Sequence, residues 1–206
     1  MVHYRLRKIL FMNSTYELYF IVNPELSSDQ TNELIANVQE LLSSVVKAEN
    51  VNVEQEGLKN LAYPINKHWS GYYVNITYTV TDEHKPAIKT LESRLNLLEQ
   101  IIRYLNLNIT DYLVAKEKEV RTETEITDHR ELNKGRANKI CLSKYLGLQA
   151  IDYKDVDYLG QFTSPYAKIF DRSKTGTSAK FQRKITKAIK RARHMGLMPF
   201  TTKHYS

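Results

Sequence analysis

The sequence predicts an α+β chain, a ferredoxin-like βαββαβ domain followed by a small, mainly helical basic domain. Three observations predict it. Apolar residues between Tyr16 and Ile109 alternate with period two in four stretches and recur at spacings of three and four in two others. Charge is divided unevenly along the chain. An acid-free amphipathic stretch, KTGTSAKFQRKITKAIKRARHMGL from Lys174 to Leu197, lies near the end.

Residues 16–113 form the first domain. Tyr16 to Val22 reads as a strand with Tyr16, Leu18, Phe20 and Val22 on one side and Tyr19 and Ile21 on the other. Asn23 and Pro24 break it. Ser27, with Gln30 three residues later, has the form of a capping box for a helix that carries Leu34, Val38, Leu41 and Val45 on one face. Val51 to Ile65 and Trp69 to Val80 read as the second and third strands, the latter alternating through Tyr72, Val74, Ile76, Tyr78 and Val80. Pro86 fits the first turn of a second helix, where its missing N–H costs little, and Ile88, Leu91, Leu95 and Leu98 form that helix's buried face. Ile101 to Ile109 closes the order βαββαβ, which packs both helices on one face of an antiparallel sheet and leaves the other face open.

The 206 residues carry a net charge of +7, but residues 1–132 hold 14 Lys and Arg against 19 Asp and Glu, a net −5, and residues 133–206 hold 16 against 4, a net +12. Affinity for polyanions therefore belongs to the last third. A single cysteine, Cys141, excludes an internal disulfide and a Cys-rich metal site. Residues 1–15 are basic and lack the long apolar centre of a secretory signal. An organelle-targeting remnant, a basic arm, and an extension ahead of a start at Met12 all fit them. Residues 114–139 are rich in Lys, Glu, Arg, Thr and Asp and read as a charged linker. No apolar run approaches the roughly 20 residues that span a bilayer.

Residues 140–206 form the second domain. Ser178 suits an N-cap, and Phe181, Ile185, Ala188, Ile189 and Ala192 make one apolar stripe, completed into a small core by Ile151, Tyr153, Leu159 and Phe162. Gly196 ends the helix and Pro199 prevents a restart. Around the stripe stand Lys180, Arg183, Lys184, Lys187, Lys190, Arg191 and Arg193, with no Asp or Glu from Lys174 to Ser206. Cations without i, i+4 partners repel one another unless a polyanion arrives, so the helix reads as an RNA-binding element. A calmodulin target or membrane-surface helix fits less well, because the stripe is narrow and small at Ala188 and Ala192. Lys168, Arg172, Lys174 and Thr175 join the predicted RNA-binding set, and His194 reads as a phosphate or base contact. Asp155 and Asp157 read as helix-capping acids.

No chemistry emerges. There is no glycine-rich phosphate loop, H-E-x-x-H or G-x-S-x-G, and neither a cofactor nor a small-molecule substrate is implied.

Two resemblances add to this reading. YELYFIVNPELS from Tyr16, GLKNLAYPINKHWSGYYV from Gly57 and LEQIIRYLNLNI from Leu98 resemble small-subunit ribosomal protein six of bacteria and organelles over about residues 12–112, LAYPINK at Leu61 to Lys67 being the most specific part. Lys59 stands where that family usually has arginine. IDYKD at Ile151, KI at Lys168, TGTSAKFQRK at Thr175 and AIKRARHMGLMPF at Ala188 resemble small-subunit ribosomal protein eighteen over about residues 137–203. Asp171, where proline is more usual, and Ser173, within a usual basic pair, are departures. The resemblances imply a fusion of two proteins that normally pair as separate chains on the small-subunit platform. The expected partners are central-domain rRNA, neighbouring ribosomal proteins, and each domain for the other. The expected place is the ribosome, cytoplasmic or organellar. The alternative is a non-ribosomal RNA-binding regulator. LYFIVN at Leu18 and GYYVNITY at Gly71 loosely echo an RNA-recognition motif, with Ser70 where that motif is basic, and Tyr19 and Tyr73 would then stack bases on the open sheet.

Overall fold

The computed structural model describes residues 13–116 and 151–201. The basic segment up to residue 12, nearly all of the linker, and Cys141 lie outside the described residues. The chain divides into two compact units, Met1–Thr110 and Asp111–Ser206.

In the first unit the order is β1 (Asn13–Val22), α1 (Ser28–Val45), β2 (Glu49–Ile65), β3 (His68–Thr81), α2 (Ala87–Leu95) and β4 (Ile101–Asn108), so the βαββαβ reading holds. The strands form one sheet in the order β2-β3-β1-β4, with every neighbouring pair antiparallel. Ser27 Oγ accepts from the Gln30 N–H while the Gln30 side chain accepts from the Ser27 N–H, completing the expected capping box. A short 3-10 turn at Asp82–His84 enters α2, a detail the apolar pattern does not carry.

Both helices pack on one face. Leu34, Ile35, Val38 and Leu42 of α1 and Leu91 and Leu95 of α2 meet Leu18, Phe20, Val22, Val74, Ile76, Tyr78 and Val80 of the sheet. Each of these aliphatic side chains contributes about 1.5–3 kcal/mol through burial. Leu42 is fully buried and Leu41 only partly, because the buried side of α1 runs through Thr31, Ile35, Val38 and Leu42 and leaves Leu41 at its edge.

The second face is covered around Tyr19, Ile21 and Tyr73. Tyr19, Ile21 and Tyr73 are each 0% exposed, and Leu61, Tyr63 and Ile65 are buried too. A cause within this unit is the far half of β2. Four residues, Leu61 to Pro64, separate Asn60, which pairs with Ser70, from Ile65, which pairs with His68. This long bulge re-aims the strand, and Tyr63 there accepts a 2.8 Å bond from Nη1 of Arg103 on β4, two strands beyond β3. Asn66 and Lys67 take the left-handed conformation, the geometry of a two-residue hairpin turn. Beneath, the Tyr19 and Tyr73 rings sit 5.4 Å apart, Tyr19 donates to Glu56 at 2.6 Å, and Lys59 pairs with Glu56 at 2.7 Å. Lys59, in the position the resemblance gives to arginine, thus meets a carboxylate of its own strand.

In the second unit, α3 (Val156–Gly160) is capped by Asp155, which accepts from the Tyr158 N–H at 3.0 Å. A bridge between Thr163 and Ile169 follows, then a single turn α4 (Arg172–Thr175), then α5 (Ala179–His194). Tyr153, Leu159 and Phe162 are buried, as are Met195 and Met198, while Ile151 stays half-buried. Phe162 and Phe181 meet edge to face at 6.3 Å. No helix among the described residues is long and apolar enough to cross a membrane.

Candidate nucleic-acid interface

The candidate interface is built on α5, and both ends of that helix are pinned. Ser178 Oγ accepts from the Phe181 N–H at 3.3 Å, an N-cap worth about 1 kcal/mol. At the other end Gly196 takes φ +67°, its N–H bonding to the Arg193 carbonyl while the Leu197 N–H bonds to that of Ala192. Two reverse bonds of this kind satisfy carbonyls the helix leaves free, and the positive φ suits glycine. All five residues of the apolar stripe are buried, so the orientation of the opposite face follows from packing.

On that face Lys180, Arg183, Lys184, Lys187 and Lys190 are exposed and Arg191 is half-buried. Stepping 100° per residue places these six within an arc of about 120°. Neighbours three or four apart on such a face have Cβ atoms about 5–6 Å from each other. The result is a ridge of positive charge with phosphate-like spacing demands and no acid on its own helix. His194, also exposed, falls inside the same arc.

Arg193 does not join it. The same stepping puts it about 60° beyond the edge of the arc. Its Nε donates to the Pro199 carbonyl at 3.1 Å, Nη2 donates to the Ala167 carbonyl, and the guanidinium lies 5.8 Å from the Phe200 ring centre. Burial pulls its pKa below the usual arginine value. Two of its donors are thus engaged within the unit.

The remaining predicted contacts cluster before the helix. Lys168, Arg172 and Lys174 are exposed, and Lys174 Nζ stands 3.9 Å above the Phe170 ring. Thr175 is half-buried and uses its hydroxyl internally, donating to the Asp171 carbonyl at 3.0 Å. Asp171 caps α4 by accepting from the Lys174 N–H at 3.0 Å, which gives the departure at that position a local cause. Gln182 was not singled out by sequence. It ties the lead-in to the helix, its amide donating to the Phe170 carbonyl at 2.8 Å and accepting from Thr177 at 2.5 Å. Only its angular position beside the stripe could have signalled this.

The alternative surface fares differently. Tyr19 and Tyr73 are fully buried, and burial raises the pKa of both phenols, with Glu56 adding to the rise. Neither ring presents a face on which a base can stack.

Comparison with known proteins assigns both units. Residues 15–108 match the family model for Ribosomal protein S6, and residues 147–198 match that for Ribosomal protein S18. The chain is an S6–S18 fusion. Its S6 domain is similar to 30S ribosomal protein S6 from Thermotoga maritima, 25% identical, the match covering 53% of this chain and 98% of that one with a TM-score of 0.46. Both families are ribosomal and structural rather than enzymatic, so the fusion is a small-subunit ribosomal protein. The capped, acid-free helix α5 lies wholly within the S18 domain, and the buried tyrosine face within the S6 domain.

Proposed function

We propose that the fusion binds small-subunit rRNA on the platform, and that its two halves take the place of a pair of separate chains. The observation that carries the proposal is the arc of Lys180, Arg183, Lys184, Lys187, Lys190 and Arg191 on a helix with no acidic residue. The helix itself supplies no counter-charge, and RNA phosphates supply one. Specificity then comes from RNA shape and junction geometry, because the arc is made of flexible cations rather than a rigid base-reading set. The central domain of the rRNA is the proposed site, and the surrounding subunit proteins are the further partners.

The charge division supports pairing of the two domains. A net −5 in residues 1–132 attracts a net +12 in residues 133–206, and a tether converts that attraction into an intramolecular event at an effective concentration in the millimolar range. The S6 domain then acts as a docking and orienting body for the S18 domain. The test is co-sedimentation of the full chain with small ribosomal subunits at moderately high salt. Stable co-sedimentation supports the proposal; release of the chain while the other subunit proteins stay bound overturns it.

A further inference from the structure

The bridge between Thr163 and Ile169 holds a tight turn that projects one aromatic side chain. Ser164 and Lys168 close it with a backbone bond of 2.8 Å, the Ala167 N–H donates to the Ser164 carbonyl at 2.9 Å, and the Lys168 N–H donates to Ser164 Oγ at 3.1 Å. Pro165 stiffens the second position of this turn. Tyr166, at the third, is 73% exposed.

A single exposed aromatic residue is ordinary on a protein surface. The mounting of this one is not. Ala167 takes φ +59°, a left-handed conformation that costs a residue with a Cβ free energy and persists only where neighbours hold it. What holds it comes from α5: Arg193 donates to the Ala167 carbonyl. An arginine withdrawn from the cationic helix fixes the base of the turn, so the phosphate-facing arc and the tip that bears Tyr166 move as one piece. Lys168, two residues on from Tyr166, is exposed, and no acid lies from Phe162 to Phe170.

We infer that Tyr166 stacks on an unpaired nucleobase of the small-subunit rRNA, with Lys168 on the adjoining phosphate, giving the S18 domain a base contact in addition to its phosphate contacts. The inference rests on the reading of α5 as an rRNA-binding helix. Single-stranded bases are recognised by stacking on aromatic faces, and a face held rigidly in place loses little freedom on binding. Charge favours RNA over a protein partner here, since the turn offers a cation and an exposed aromatic ring in a stretch that carries no acid.

The experiment measures binding of the full chain to a small-subunit rRNA transcript over a salt series, for the wild type, Tyr166→Ala, Tyr166→Leu, Tyr166→Phe and the triple variant Lys187→Ala, Lys190→Ala, Arg191→Ala. Tyr166→Ala and Tyr166→Leu should each weaken binding by roughly five- to 150-fold with an unchanged salt slope, because a stack and not a phosphate contact is lost. Tyr166→Phe should bind within about twofold of wild type, since the ring face remains. Ultraviolet crosslinking should join Tyr166 to a base. Agreement of the Ala and Leu variants, with melting curves matching wild type, separates lost stacking from lost folding. If both variants bind as wild type while the triple variant weakens, the stack is refuted and the phosphate reading stands. If the triple variant also binds as wild type, both fall. If Tyr166→Ala binds rRNA normally but is lost from assembled subunits, the tip meets a protein and the inference is overturned.

Discussion

Arg193 donates its Nη2 hydrogen to the Ala167 carbonyl, and by doing so leaves the row of cations to which its place in the sequence assigns it. It also donates through Nε to Pro199, so one planar group joins the end of α5 to two separate loops. Lysine lacks the fork to reach both. Arg193→Lys and Arg193→Ala should therefore each destabilise the S18 domain by about 1.5–3 kcal/mol, the range for hydrogen bonds to a charged group. Both should leave the salt dependence of rRNA binding unchanged. Thermal melts and a salt titration on the same variants check the two halves of this statement.

Much of this was legible beforehand, and the failures have specific physical sources. The stripe Phe181, Ile185, Ala188, Ile189 and Ala192 was readable because a helix buried on one side writes its period into its apolar residues, and Ser178 and Gly196 mark its ends by backbone chemistry. Residue type alone puts Arg193 among the cations of the arc, and only its angle on the helix sets it apart. The cover over Tyr19 and Tyr73 on the second face of the S6 sheet is not legible for another reason. Alternation shows which residues share a side, but nothing local in the sequence shows that a long bulge at Leu61 to Pro64 brings Tyr63 toward Arg103.

Close approach of β1 and β3 depends on Gly71. A Cβ at this position would overlap Ile21 Cγ2, a side chain that is itself fully buried. Gly71→Ala should destabilise the S6 domain by about 1–3 kcal/mol, as overpacking does when neighbours cannot move. Chemical denaturation of the full chain, followed by tyrosine and tryptophan fluorescence, measures it. Gly160 provides the control, because a Cβ there meets nothing and Gly160→Ala should not incur such a clash.

Alkaline pH should unfold the S6 domain early. Burial raises the pKa of Tyr19, Tyr73 and Tyr78 above the ordinary value of 10.0, with Glu56 adding to the rise at Tyr19. Above pH 10 the unfolded chain releases these phenolic protons while the folded domain retains them. The folded state then binds more protons, so stability falls as pH rises, by as much as about 1.4 kcal/mol per pH unit for each phenol. Below pH 9 these three groups should contribute no slope. Denaturation midpoints between pH 8 and 11.5 check this, and Tyr78→Phe, which has no proton to lose, should flatten the alkaline limb.

The central claim is that the arc on α5 grips RNA phosphates, and the most direct measurement is the salt slope of rRNA binding for the triple variant Lys187→Ala, Lys190→Ala, Arg191→Ala. Each lost phosphate contact lowers the slope by about 0.7–0.9 units, so the account predicts a slope lower by about two to three units together with weaker binding. An unchanged slope and an unchanged affinity would contradict it.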